Sequence, residues 1–193
     1  MRWNKQWKQL TRDQKAAWKT WAKSNPVLLD HGVVRRVSGE KAFTIILNNR
    51  AIAGEAANPT VVPAAATWLS GALSVRDVGP FTTGAGFMGF RTEQEIVAAT
   101  KWFVWATRPL TAMETHPQRW LRFVKSLALG ALANDTPTAS FADDYRAVVG
   151  SFNGPGQDGE WAEDHFVWFR LHQYVNGQLS PGVVLKGRIQ VEL

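Results

Sequence analysis

The chain has 193 residues and a mass of 21.5 kDa, is 45% hydrophobic and 20% charged, and carries a formal net charge of +6. That is the size of one domain, or one with an appendage, with enough apolar material to exclude a disordered chain; the lack of cysteine excludes disulfides and thiolate chemistry. No stretch reaches the roughly 18–20 uninterrupted apolar residues of a membrane helix, and no apolar run follows the polar Met1–Lys8, so neither a membrane span nor a secretory signal is expected.

Trp3, Trp7, Leu10, Gln14, Ala17 and Trp21 recur every three or four residues, which predicts one helical stripe. Thr11 and Gln14 fit a capping box, so a helix start at Thr11 is expected, with Met1–Gln9 as a separate turn or arm. Asn25-Pro26 ends the helix, because proline lacks the N–H that would continue it. A second helix is expected from its cap Ser38 to about Ala53, stopped by Gly54. Its face of Ala42, Phe43, Ile46 and either Ile45 or Asn49 would pack on the tryptophan stripe. The result is a helical hairpin joined by an extended segment, Val27–Val37.

Beyond Gly54 the texture changes to strands and turns. Asn58-Pro59 and Pro63 mark a linker or edge strand, and Leu73, Val75 and Asp77 alternate with Ser74 and Arg76 as a strand would. Gly79, Pro80, Gly84, Gly86 and Gly89 predict a loop. Ile96–Thr107 is rich in strand formers and closes at Arg108-Pro109; Arg119–Leu132 is taken as a strand, with helix as the alternative. Ser140–Val149 reads as a short capped helix closed by Gly150, and 151–159 as a loop. The strands His165–Val175 and Val183–Glu192 follow, around Asn176-Gly177 and Ser180-Pro181-Gly182. Phe166, Trp168 and Arg170 point one way and Val167, Phe169 and Leu171 the other, which places this strand centrally or at an interface. The expected fold class is α+β: a basic, Trp-rich helical hairpin over 1–56, then an antiparallel, fibronectin/Ig-like β-sandwich over 57–193 with one short inserted helix.

Motifs for catalysis are poor, and no enzyme is expected. The four histidines have no metal-ligand spacing; the nearest cluster, Glu160, Glu163 and Asp164-His165, reads as an acidic loop entering a strand. Asp143 and Asp144 are neighbours on one helix, so their carboxylates diverge by about 100° and read as a solvated face rather than an acid/base pair. The glycines at 84–89 lack a following P-loop lysine, and there is no nucleophile elbow or HExxH. No catalytic, cofactor or metal residues are assigned.

Charge is the stronger signal. Residues 1–50 hold eleven Lys or Arg against Asp13, Asp30 and Glu40, while the remaining chain holds eleven basic and thirteen acidic residues. A basic head on a nearly neutral body points to an anionic partner. The candidate contacts are Trp3, Lys5, Trp7, Lys8, Arg12, Lys15, Lys19, Arg35 and Arg36. Ten tryptophans exceed what one small core holds, and a surplus would sit at contacts between subunits.

The pattern Trp7-x-x-Leu10-Thr11-x-x-Gln14-x-x-x-Trp18, followed by Ser38-Gly39-x-x-x-Phe43-x-x-x-x-Asn48, resembles the opening of a group of uncharacterised bacterial and prophage-encoded proteins in which a Trp-rich helical segment precedes a β domain. The stretch from Phe166 to Pro181 resembles the last two strands of fibronectin type III-like modules. The resemblance implies a virion or surface-assembly context and carries over no catalytic residue. Two functions are therefore expected to compete. One is a structural subunit of a phage head or tail, a decoration protein, or an extracellular tube or filament, acting by self-association and contacts with neighbouring subunits. It would be intracellular before assembly and need no cofactor. The other is a nucleic-acid-binding protein whose N-terminal cations contact phosphates while Trp3 or Trp7 stacks on unpaired bases.

Overall fold

The computed structural model describes residues 2–29, 33–68, 73–78, 88–92, 100–129, 142–149 and 165–188. It combines helices with antiparallel strands, an α+β arrangement, in two compact units: Met1–Leu69 with Gln173–Pro181, and Ser70–His172 with Gly182–Leu193.

The first unit is built on three helices, α1 (Arg2–Gln9), α2 (Arg12–Ser24) and α3 (Gly39–Ile52). Thr11 caps α2 as its sequence implies: its hydroxyl accepts from Gln14 N at 3.2 Å, and its own N–H donates to Gln14 Oε1 at 2.9 Å. The residues before it form a helix of their own, not a loose arm. This break shifts the phase of the apolar stripe. Trp3, Trp7, Leu10 and Trp21 are buried as expected, but in α2 Trp18 and Ala22 share the inward face with Trp21, while Ala17 is exposed. A stripe counted through the break as one helix lands one residue early.

α3 runs from the Ser38 cap, whose Oγ accepts from Lys41 N at 3.2 Å, to the C-cap Ala53. Its Ala42, Phe43, Ile46 and Leu47 are fully buried against the tryptophans. The Phe43 ring lies 5.3 Å from both Trp7 and Trp18, edge-on to the latter. Trp18 also donates its indole N–H to the Pro59 carbonyl at 3.1 Å, which ties the strandless 55–68 segment to the helices. The extended segment between α2 and α3 contains a two-residue antiparallel ladder, β1 (Val27–Leu28) with β2 (Val34–Arg35).

Gln173–Pro181 completes this unit. The turn at Asn176 (φ 51) and Gly177 (φ 85) folds the end of β8 (His165–Val175) onto β9 (Gln178–Leu179), pairing Tyr174 with Leu179. Three side-chain bonds fasten it: Asn49 Nδ2 to Gly177 O at 2.9 Å, Gln178 Nε2 to Ala64 O at 2.7 Å and the Tyr174 hydroxyl to Glu55 Oε2 at 2.5 Å.

The second unit contains β3 (Leu73–Val78) paired with β4 (Met88–Thr92), and a sheet ordered β10-β8-β5-β7, in which β5 is Thr100–Ala106, β7 Arg122–Leu129 and β10 Val183–Arg188. The short β6 (Leu110–Thr111) pairs with the start of β8. β8 is central, with Val167, Phe169 and Leu171 on one side and Trp168 on the other all buried. Arg119–Leu132 is resolved in favour of strand from Arg122, preceded by a 3₁₀ turn at Pro117–Trp120. The expected glycine loop is corrected at its end, since Met88–Thr92 is a strand. Its hydrogen-bonding partner, the strand expected at Leu73–Asp77, lies ten or more residues earlier, and local composition gives no hint of the pairing. Residues 79–87, 93–99 and 151–159 lie outside the described residues. The inserted helix α4 (Ala142–Val149) packs on β7, burying Tyr145, whose hydroxyl donates to Thr107 O at 2.8 Å.

Two predictions test these contacts. Gly177→Ala would force a side chain into a left-handed conformation and place its Cβ 2.7 Å from Ile46 Cγ2, so urea unfolding should show a loss of about 1–3 kcal/mol. Burial raises both tyrosines above the usual 10.0, and the Glu55 carboxylate raises Tyr174 further. Both are neutral in the fold, so their stabilisation is complete below pH 10 and is lost as pH climbs through the raised native values. Spectrophotometric titration of the chain's two tyrosines should therefore show them ionising together with alkaline unfolding, and not before it.

Candidate functional site

The basic N-terminal segment folds with its cations outward and its tryptophans inward. Trp3 and Trp7 are each only 8% exposed and belong to the helical core. Lys5, Lys8, Arg12, Lys19, Arg35 and Arg36 are exposed, and Lys15 is half-buried. Arg35 lies on β2 and Arg36 just beyond it, so the set spans three separate segments of the first unit.

Part of this set converges. Lys15, Lys19 and, four residues on, Lys23 lie along one side of α2, about 6 Å apart along the axis. They line a groove of about 530 Å³ together with Trp7, Val37 and the start of α3, including Glu40. Lys23, one of the cations that the nucleic-acid reading of the sequence sets on phosphates, joins the row through the i, i+4, i+8 spacing. The Lys15 ammonium donates to the Lys8 carbonyl at 3.1 Å, a cation set on the last turn of α1, where the helix dipole favours it. Among the described residues, none of Lys15, Lys19 and Lys23 has an acidic partner within ion-pair distance. The groove is narrow because Gly39 sits against α2: a Cβ there would lie 2.8 Å from both the N and Cα of Lys19.

Among the described residues, several charged groups of the second unit find partners within it, although the buried Trp102 Nε1 and His165 Nδ1 do not. Glu114 accepts from the His116 backbone N–H at 2.8 Å, from Trp120 Nε1 at 3.2 Å and from Arg119 at 3.3 Å. The His116 bond, then those of Trp120 and Arg119, hold its carboxyl below the usual carboxylate range against the opposing pull of desolvation. Arg108 stacks on the other side of this cluster, 4.4 Å from the Trp120 ring centre. Asp144 is ion-paired with Lys125 at 2.6 Å on the solvated surface, both side chains remaining partly exposed. Of the acidic cluster near His165, residues 160, 163 and 164 lie outside the described residues. Among the described residues no three His, Asp or Glu side chains gather as a metal site, and no helix is long and apolar enough to cross a membrane.

No family model, curated protein or solved structure matches the chain. Its site must therefore be judged by its own chemistry, which is that of unpaired ammonium groups facing a shallow, partly apolar trough.

Gly39→Ala tests how this trough is built. An exposed helical Gly→Ala change stabilises by about 0.5–1 kcal/mol. Here thermal or urea unfolding should show a net loss of about 1–3 kcal/mol, as α2 and α3 are pushed apart.

Proposed function

We propose that the protein is a structural assembly protein: a phage head, tail or decoration component, or a subunit of an extracellular tube or filament. It acts by associating with itself and by docking its helical unit on a neighbouring subunit. The observation that carries this reading is the row of exposed cations in the first unit that find no acidic partner among its described residues. Charges left unpaired inside a fold are available to a partner, and a subunit in a particle needs such surfaces more than it needs a reactive centre. The tryptophan surplus does not carry it, since six of the nine described tryptophans are buried within the units. Apolar self-contact draws support instead from Val183 and Val184, 40% and 50% exposed side by side on β10. The two sheets of the second unit, β3–β4 and the β10-β8-β5-β7 ladder, suit a fibronectin-like sandwich, which belongs to the same proposal, as does kinship with the prophage-encoded group.

The regular spacing of Lys15, Lys19 and Lys23 favours one second reading, a nucleic-acid-binding protein, because a polyphosphate strand also rewards evenly placed cations. With Trp3 and Trp7 buried, that binding would rest on phosphates alone. Light scattering at about 50 mM and about 500 mM salt separates the two. Large, regular assemblies that persist at the higher salt are expected; a monomer at both would sink self-association. Binding to an oligonucleotide that weakens with a log–log slope of roughly −0.7 to −0.9 per phosphate would favour the second reading.

A further inference from the structure

We propose that the groove between the lysine row of α2 and the start of α3 is a slot for a short acidic peptide bearing an apolar side chain, offered by a neighbouring subunit. This deepens the assembly reading and rests on it. Three ammonium groups, joined by the positive end of α3, face one carboxylate, Glu40, across a space of about 530 Å³, which suits a few residues of extended chain. The walls are not purely ionic. Val37 and the edge of Trp7 provide apolar surface that a carboxylate-only ligand would leave uncovered.

Three features favour a peptide over a nucleic-acid strand. Glu40 lines the same groove as the lysines, where it accepts a peptide N–H but repels a phosphodiester, which has no donor along its backbone to offer. Trp7 is 8% exposed, so it presents an edge to an aliphatic or aromatic side chain but no ring face for base stacking. The lysines are point charges on flexible stems, able to follow carboxylates at irregular spacing along a peptide. Lys15 uses only one of its three donors on the Lys8 carbonyl, which anchors it at the groove with two still to give.

The test uses the full chain and a fluorescein-labelled pentapeptide of sequence Glu-Glu-Trp-Glu-Glu, followed by anisotropy at about 100 mM salt. The combined variant Lys15→Gln, Lys19→Gln, Lys23→Gln should weaken binding by about tenfold or more. The control variant Lys5→Gln, Arg12→Gln, Arg35→Gln removes the same charge outside the groove and should change it by no more than about twofold. A peptide with Gln in place of Glu should bind at least about tenfold more weakly, and so should one with Ala in place of Trp. Equal losses from both variants, or tighter binding of a pentathymidylate than of the peptide, would overturn the proposal. Light scattering on the same samples keeps the two readings apart. Assemblies that form while peptide binding ignores the groove lysines defeat the slot alone; selective peptide binding by a chain that never assembles defeats self-association alone.

Discussion

The two hydrogen bonds between Thr11 and Gln14 decide what the first unit becomes. They fix where α2 starts, and the start of a helix sets the direction of every side chain after it. With the phase reset there, Trp18, Trp21 and Ala22 turn inward onto α3, and Lys15, Lys19 and Lys23 fall along one flank. A start one residue away would rotate α2 by about 100° and carry the lysine row, still aligned along one flank, away from the start of α3. The groove is thus a consequence of helix capping as much as of charge.

The unit separates the two halves of a mixed composition. The rings of Trp7 and Trp18 each lie 5.3 Å from Phe43, which removes nearly all of their aromatic surface from a partner. The lysine row that remains outside has no acidic partner among the described residues, in contrast to the Glu114–Arg119–Trp120 cluster and the Lys125–Asp144 pair of the second unit. A surface of the first kind is suited to meeting another molecule, and one of the second kind to holding its own loops.

Elements whose cause is local were legible in the sequence. The caps at Thr11 and Ser38, the stop at Asn25-Pro26 and the inward Ala42, Phe43 and Ile46 of α3 depend on neighbours within a turn and follow from spacing and residue type, whereas the buried Leu47 does not. The central position of β8 was legible too, because a strand covered on both sides shows apolar residues at both parities. Elements whose cause is distant were not. Met88–Thr92 pairs with a strand across a glycine-rich stretch, and β9 exists only because the turn at Asn176-Gly177 folds it onto Tyr174. Of the candidate site, the cations were evident but the trough was not: it needs Gly39 against Lys19, a contact between residues twenty positions apart. Trp3 and Trp7 were candidates by composition, and the same helical spacing that suggested them also buries them.

The membership of Gln173–Pro181 in the unit that begins with α1 has a consequence for how the chain matures. Asn49, Glu55 and Ala64 wait for partners more than a hundred residues downstream, so during synthesis the three helices exist for many seconds without the hairpin that fastens them. Closing so long a loop costs only logarithmically in entropy, so the finished unit tolerates the arrangement, but contacts this distant in sequence slow the search for it. Completion of the helical unit is therefore delayed, timed by the synthesis of residues 173–181 rather than by the helices' own rate of folding.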